Sequence, residues 1–594
     1  MAYRNIRTSE RKRFIVSLGL SYVIKEWSSS EKWDVAARYR IDRTSQEYKD
    51  KRFVGTIPTL LNGGTKNGFF GLENSWDMQN YVDVLTNLNK NIADDYTLAL
   101  NVGASLTDQM NDALINQGPL RNDGLPNVFN VQNIEQGAQK AQFYQKGWRE
   151  QTQSVFGSLE VSWRRLLFLT VTGRNDWASQ LSGSNHKSFF YPSIGLSGIL
   201  TDMLSEELRN KMYNSLSFAK LRVAYAQVAS PFQRGLTMQL NTFSQDDKKW
   251  VKEGYYPLKD LKPERTNSFE IGLTTKWIQN KLNFDITYYK TNTKNQTIKA
   301  AMSASSGYNY TYVQTGNVQN QGVEIALGGT INIGKNFSWD TNFTYGYNKN
   351  EIKELVANVK NPQNPNEPLF EKDELLKDNF GNAQIILRPG GTLGDIYAKT
   401  DFVRDAYGNI DISQDLKPRN EYLKLGSLLP DATMGWRNDF RYKNLSFGFM
   451  ISARIGGIVV SGTQAAMDYS GVSKVTADAR DAGGVTLSPG VVVPAQSYYQ
   501  LQGRPKDYLT QYYTYTASNV RLREAYISYN IPRKWLGNVL DLSLSLTGKN
   551  LLMLYCKAPF DPESVSSTGN YAQGLDYFML PSLRSLGFSI KAKF

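Results

Sequence analysis

The stretch SLGFSIKAKF (residues 585–594) alternates without a break. Leu586, Phe588, Ile590, Ala592 and Phe594 fall on one side, and Gly587, Ser589, Lys591 and Lys593 on the other. A β-strand turns successive side chains to opposite faces, so this stretch reads as a ribbon with one apolar and one polar face. Chain ends ordinarily trail off into poorly ordered residues, whereas here the pattern runs to the last residue. The fold depends on which solvent the apolar face meets.

The same pattern recurs along the chain. Leu540, Leu542, Leu544 and Leu546 alternate with Asp541, Ser543, Ser545 and Thr547. Leu445, Phe447, Phe449, Ile451 and Ala453 form another apolar row, as do Leu282, Phe284, Ile286 and Tyr288. Near the front, Phe14, Val16, Leu18, Leu20, Tyr22 and Ile24 alternate with small polar residues. That reads as a strand over 13–24 and not as a signal peptide, because no small-x-small cleavage site follows. Helical periodicity is nearly absent, with "DMLSEELRNKM" near residue 207 the clearest exception.

The connections choose the architecture. "RR" joins 151–163 to 166–177, "QN" joins 266–278 to 281–297, "GKN" joins 317–333 to 337–350, and "KN" joins 431–442 to 445–456. Between these pairs lie long excursions such as 351–430 and 457–517. Alternating short turns and long loops are the mark of an outer-membrane barrel, whose strands show lipid an apolar face and the lumen a polar one. In lipid only helices and closed barrels satisfy every backbone group. The alternation therefore predicts an all-β, transmembrane antiparallel barrel with long extracellular loops. The strand count is about seventeen. A propeller would repeat every 40–45 residues or so, and no such period is present.

Composition excludes several functions. With 1 Cys and 1 His among 594 residues, there is no disulfide and no Cys/His zinc cluster. His186 in "SGSNHKSF" reads as a solvated loop residue. The net charge of +13 is scattered, and no nucleic-acid module is recognisable. No apolar run approaches a spanning helix, and mean hydropathy is −0.45. "GGTLGD" lacks the strand–helix context and Lys of a phosphate loop. "DAYGNIDISQD" at 405–415 lacks calcium-loop spacing and reads as a plain turn.

A series of stretches in this order resembles the SusC/RagA family of TonB-dependent outer-membrane transporters. The series comprises "RNDWAS" (174–179), "FFYPSIGLSG" (189–198), "KLRVAYAQV" (220–228), "DLKPERTNSFEIGL" (260–273) and "GNVQNQGVEI" (316–325). It continues through "GGTLGDIYA", "VRLREAYISYNIP", "KAPFDPES" and "LPSLRSLGFSIKAKF". The similarity runs from about residue 140 onward and is weaker before it. It implies a barrel of 22 strands with a plugged lumen. Residues 1–594 then supply its C-terminal portion, about 16–18 strands, without plug, TonB box or signal peptide. On that expectation the chain is a truncated form unable to transport alone, with the edges of 13–24 and 582–594 apart.

What the resemblance implies is uptake of oligosaccharides or peptides across the cell outer membrane, with a SusD-like surface lipoprotein as lid and energy from the TonB complex. No cofactor, metal or catalytic residue is expected. A passive porin is the alternative, and an outer-membrane glycosidase a more remote one. The latter needs two carboxylates flanking one bond, and no hydrolase signature accompanies the chain's acids. For ligand contact the candidates are Tyr498, Tyr499, Tyr508, Tyr512, Tyr513 and Tyr515, since tyrosine offers a flat apolar face and a hydroxyl; loop packing is the competing role. Asp260, Pro263, Glu264 and Arg265 read as a structural brace at a loop rim. The resemblance also makes Phe588 and Phe594 the barrel assembly signal.

Overall fold

A computed structural model describes residues 5–54, 67–138, 141–238, 241–244, 249–252, 254–258, 260–301, 307–356, 359–361, 364–370, 372–380, 383–505, 507–566 and 574–593. These fall into two compact units. One is Met1–Leu196, Tyr225–Thr266 and Asn295–Gln314; the other is Ser197–Ala224, Asn267–Lys294 and Thr315–Phe594.

The first unit is built on a meander of long antiparallel strands: β1 (Asn5–Ser28), β2 (Glu31–Arg52), β3 (Phe69–Ala93), β4 (Tyr96–Pro119), β5 (Gln142–Trp163) and β6 (Leu167–Ala178). Each pairs with the next. The register carries one side-chain class across the strands. Leu20, Ala37, Val84, Ala104 and Val155 lie in one row, and Gly19, Arg38, Asp83, Ser105 and Ser154 in the row beside it. Adjacent rows point to opposite faces, so the sheet is amphipathic by residue alternation alone.

The apolar face is the exposed one. Leu20 is 80% exposed and Val84 50%, while Asp83 is 1% exposed. That is the reverse of a water-soluble sheet. The apolar run Phe14–Ile24 extends about 35 Å along the strand at ~3.3 Å per residue. Tilted by ~40°, it covers about 27 Å, close to the ~25 Å apolar band of a membrane barrel. The strands themselves continue beyond it. Asn5–Arg13 stays paired with Thr44–Arg52, although Arg7, Ser9, Arg11, Lys49 and Asp50 give this section no apolar row. The sequence pattern, which reports side-chain burial, therefore marked only 13–24 as strand. A backbone ladder needs a neighbour, not an apolar face.

Five strands have residues in both units: β7 (Phe189–Ile199), β8 (Leu216–Ser230), β9 (Glu264–Trp277), β10 (Leu282–Ala301) and β11 (Tyr310–Ile333). The second unit continues with β12 (Phe337–Glu354), β13 (Ala432–Tyr442), β14 (Leu445–Ile455), β15 (Asn519–Ile531), β16 (Asp541–Cys556) and β17 (Ser585–Lys593). Among the described residues eighteen strands enter the main ladders, and one of them is the two-residue Tyr255–Tyr256, leaving seventeen long ones, as the sequence suggested.

From β11 to β17 the register is continuous. Ile331, Trp339, Phe440, Phe447, Ile527, Leu546 and Phe588 form one apolar row. One residue along each strand, Thr330, Asp340, Asp439, Gly448, Tyr526, Thr547 and Gly587 form the polar row. Leu542 and Leu544 pair with Ala592 and Ile590, and Ser543 with Lys591, so the predicted outward and inward sets lie on opposite faces. Leu540 precedes the strand. In the apolar row Trp339 and Phe440 stack at 5.8 Å, and Phe440 and Phe447 at 6.2 Å, close to the short-turn end where membrane barrels carry an aromatic girdle.

The short connections are tight. Arg164 and Arg165 take φ of 49° and 56°, the left-handed backbone that lets a hairpin follow the strand twist. Between β7 and β8 the expected helix forms as α1 (Glu206–Met212), with the Ser205 side chain accepting from the Leu208 N–H. The long excursions are not structureless. Four strands between 375 and 427 pair into a sheet. Residues 462–502 fold into α2 (Gly462–Tyr469), α3 (Lys474–Asp481) and α4 (Ala495–Gln502). The sequence reading left these three helices out. Ser461 with Gln464 three residues on was the available cue, being the spacing of a helix start.

Candidate functional site

Two surfaces of the second unit hold polar groups in fixed positions: the polar face of the ladder and the excursion 456–518.

On the polar face, charges are paired in place. Arg222 on β8 gives two parallel hydrogen bonds to Asp285 on β10, at 2.8 and 3.0 Å, and reaches Thr274 at 2.7 Å. Its guanidinium lies over Gly272, where a Cβ would come within 2.5 Å of it. Asp439 accepts from Arg437 Nε at 2.8 Å and from the Tyr526 hydroxyl at 2.7 Å. Gly448, between Asp439 and Tyr526 in the row, makes that bond possible, since a Cβ there would fall 2.6 Å from the Asp439 carboxylate. The first unit repeats the device, with Arg38 Nε 2.9 Å from Asp83 Oδ1 and Arg13 Nε 2.9 Å from Asp42 Oδ1. Bidentate pairs of this kind satisfy both partners and present fixed donors and acceptors rather than a bare field.

The last long connection is fastened to the wall by ions. Arg521 on β15 donates to Asp561 at 2.7 and 3.2 Å, and Arg523 Nη2 lies 2.5 Å from Glu563. Burial would raise the Asp561 carboxyl, but hydrogen bonds from Arg521, Ser582 and the Glu563 N–H outweigh it, and its pKa lies below the ordinary carboxylate value.

The tyrosines proposed for ligand contact divide. Tyr513, Tyr508 and Tyr499 are buried, and Tyr508 packs edge-on against Tyr513 at 6.0 Å. Burial pushes the Tyr508 hydroxyl up to about 12. Tyr498 stacks on Phe402 at 5.4 Å, and Tyr515 meets Phe560 at 5.6 Å. These five pack within the excursion or against the neighbouring connections through Phe402 and Phe560. Tyr512, which meets Phe402 at 5.7 Å, is the one with a large exposed surface. Five of the six thus take part in packing, and sequence spacing could not separate the buried rings from the exposed one.

Of the other sequence-marked residues, Arg265 donates to Gln227 at 2.8 Å. His186 is partly exposed, with Nε2 3.5 Å from Asp260. Asp405 caps its own turn, accepting from the N–H groups of Tyr407 and Asn409. Phe588 pairs with Leu546 and is 62% exposed. Phe594 lies outside the described residues.

An amphipathic meander whose apolar face is exposed, with an aromatic girdle and paired ions on the opposite face, defines an outer-membrane β-barrel protein. The model of the TonB dependent receptor-like β-barrel family matches residues 2–551, and the chain belongs to that family. The match begins well ahead of residue 140, where the motif-based resemblance became strong.

Among relatives, the chain is 25% identical over 523 residues to TonB-dependent receptor P3 of Formosa agariphila, covering 79% of this chain and 48% of that protein. It is 23% identical over 417 residues to TonB-dependent receptor SusC of Bacteroides thetaiotaomicron, covering 64% and 38%. The chain thus spans about half or less of the length of these curated relatives. Among solved structures, the RagAB peptide importer in its open-open state superposes with a TM-score of 0.75 at 17% identity, over 99% of this chain and 62% of that one. That likeness shows a shared fold.

Proposed function

We propose that this chain forms the barrel wall of a nutrient importer that takes up oligosaccharides or peptides through the outer membrane. The observation that carries the reading is the paired register of Ile331–Phe588 and Thr330–Gly587. One continuous row suits lipid, and the other is lined with polar groups for a hydrophilic solute. The names of the relatives, a receptor linked to TonB and a peptide importer, support active uptake over passive diffusion. A SusD-like surface lipoprotein serves as lid in this reading, the TonB complex supplies energy, and residues 1–594 act throughout as barrel. The work is binding and translocation, with no bond made or broken in the solute.

Uptake tests the proposal. Cells carrying the gene extended upstream by the plug and TonB box are compared with a deletion strain on a panel of oligosaccharides and peptides, each with and without TonB. Accumulation of a solute that requires both the gene and TonB is expected. Uptake proportional to concentration and indifferent to TonB would point to a porin and overturn it.

A further inference from the structure

The three helices of the 456–518 excursion line an open pocket of about 200 Å³ that the barrel reading does not use. It is lined by Asp468, the seventh residue of α2, which is 4% exposed. Asp468 Oδ1 accepts from Gln464 Nε2 at 2.8 Å. Among the described residues Asp468 forms no ion pair. A carboxylate can accept about four hydrogen bonds, and a buried one with unfilled capacity is costly unless further donors arrive. Tyr499 and Tyr513 pack around it; burial, reinforced by the Asp468 charge and for Tyr513 by a hydroxyl hydrogen bond to Asp468, raises both of their hydroxyl pKa values, so they stay protonated and Tyr513 is a second donor to the carboxylate.

The rest of the lining is amphoteric. Arg480 on α3 donates to the Gly471 carbonyl at 2.9 Å and keeps further N–H groups at the pocket. Gln496 and Gln500 on α4 bring amides that both donate and accept. Tyr469, at the end of α2, is 37% exposed and offers its ring there. The one aliphatic side chain is Ala495. A site for an apolar peptide side chain would be lined chiefly by hydrophobic groups. Here a buried acceptor, several planar donors and a flat ring surround a space smaller than the ~300 Å³ at which drug-sized sites begin.

We infer that this pocket binds a single neutral hexopyranose unit of an oligosaccharide. Adjacent sugar hydroxyls each donate and accept, so they can fill the free positions of Asp468 while taking donors from Arg480 and the glutamines. The C–H face of the ring covers Tyr469. The inference rests on the uptake reading for its purpose and narrows that reading to glycans, but the binding itself is independent of TonB and of transport.

The test uses the purified full chain in detergent, with methyl glucopyranoside, galactopyranoside and mannopyranoside as probes and glycyl-tyrosine amide as the peptide competitor. Saturation-transfer NMR reports which protons touch the protein. At least one glycoside is expected to bind. Its affinity should fall by about tenfold in Asp468→Asn, which removes a charged acceptor, and severalfold in Gln496→Ala, a surface change that leaves folding intact. Heat-modifiable migration verifies that each variant is folded. Absence of binding by all three glycosides, binding unchanged in both variants, or displacement of the glycoside by the peptide would overturn the inference. TonB-independent uptake in cells would instead overturn the importer reading and leave the binding result standing.

Discussion

The ladder β11–β17 and the excursion 456–518 are parts of one unit, yet they follow opposite solvent rules. In the ladder Ile527 is 45% exposed and Leu546 57%, while Asn438 and Arg521 are buried. In the excursion Leu509 is fully buried against Phe402 and Leu501, and Lys474 pairs with Asp478 at the surface. The second pattern belongs to water, where apolar area is removed from solvent. The first belongs to hydrocarbon, where apolar side chains lose nothing by exposure and polar groups must turn away. One polypeptide therefore carries two cores, and the boundary falls where β14 and β15 give way to the excursion.

The strongest way to probe that boundary is its fastening. Arg521→Ala leaves the Asp561 carboxylate largely buried with its main partner gone, and should weaken the tie of residues 557–584 to β15 by roughly 3 kcal/mol, the low end for a broken buried pair because Arg523 remains. Protease should cut this connection in the folded variant while the barrel band persists on a gel. An unchanged digestion pattern would show that the ion pairs do not hold the connection.

Next in size is the solvent rule itself. Leu544→Arg places a charge on the lipid face and should cost about 2–4 kcal/mol if near mid-membrane, whereas Ser543→Arg, one residue away on the polar face, should cost about 1 kcal/mol or less. The yield of heat-modifiable, folded protein measures both. Equal losses would erase the distinction between the two faces.

A smaller effect tests the polar row. Gly448→Ala pushes a methyl group between Tyr526 and Asp439 and should cost about 1–3 kcal/mol through overpacking, with urea unfolding in detergent as the readout. Gly448→Ala combined with Tyr526→Ser should recover part of the loss, since the ring whose Cε1 the new methyl would meet is then absent.

The smallest expected change is with pH. Asp561 has a folded pKa below its unfolded value, so its contribution is complete above the unfolded pKa of about 4 and is lost as pH falls through the lower folded value. Protease release of 557–584 should therefore rise below pH 4, and Asp561→Asn should flatten that dependence. A rise between pH 6 and 8 instead would implicate another group.

Much of the wall was legible without coordinates. The alternation at 540–547 and 586–592 assigned Leu542, Leu544, Phe588 and Ile590 to one face, and the short and long connections assigned antiparallel pairing. Both are local signals, because a two-residue period and a tight turn are complete within about ten residues. The extension of β1 back to Asn5 was hidden, since its polar pairing with β2 depends on a strand tens of residues away. The tyrosines at 498–515 show the same limit. Which ring lies under Leu509 and which faces solvent depends on Phe402, nearly a hundred residues earlier.

By itself the sequence determined a membrane-facing antiparallel wall, because hydrocarbon demands that every residue of every strand declare its face, and that demand is written at period two. Only the tertiary structure decided which charges meet, Arg222 with Asp285 or Arg521 with Asp561, and that three short helices line one pocket with Asp468. Those contacts join residues distant along the chain, and their energies come from burial and geometry that no local pattern encodes.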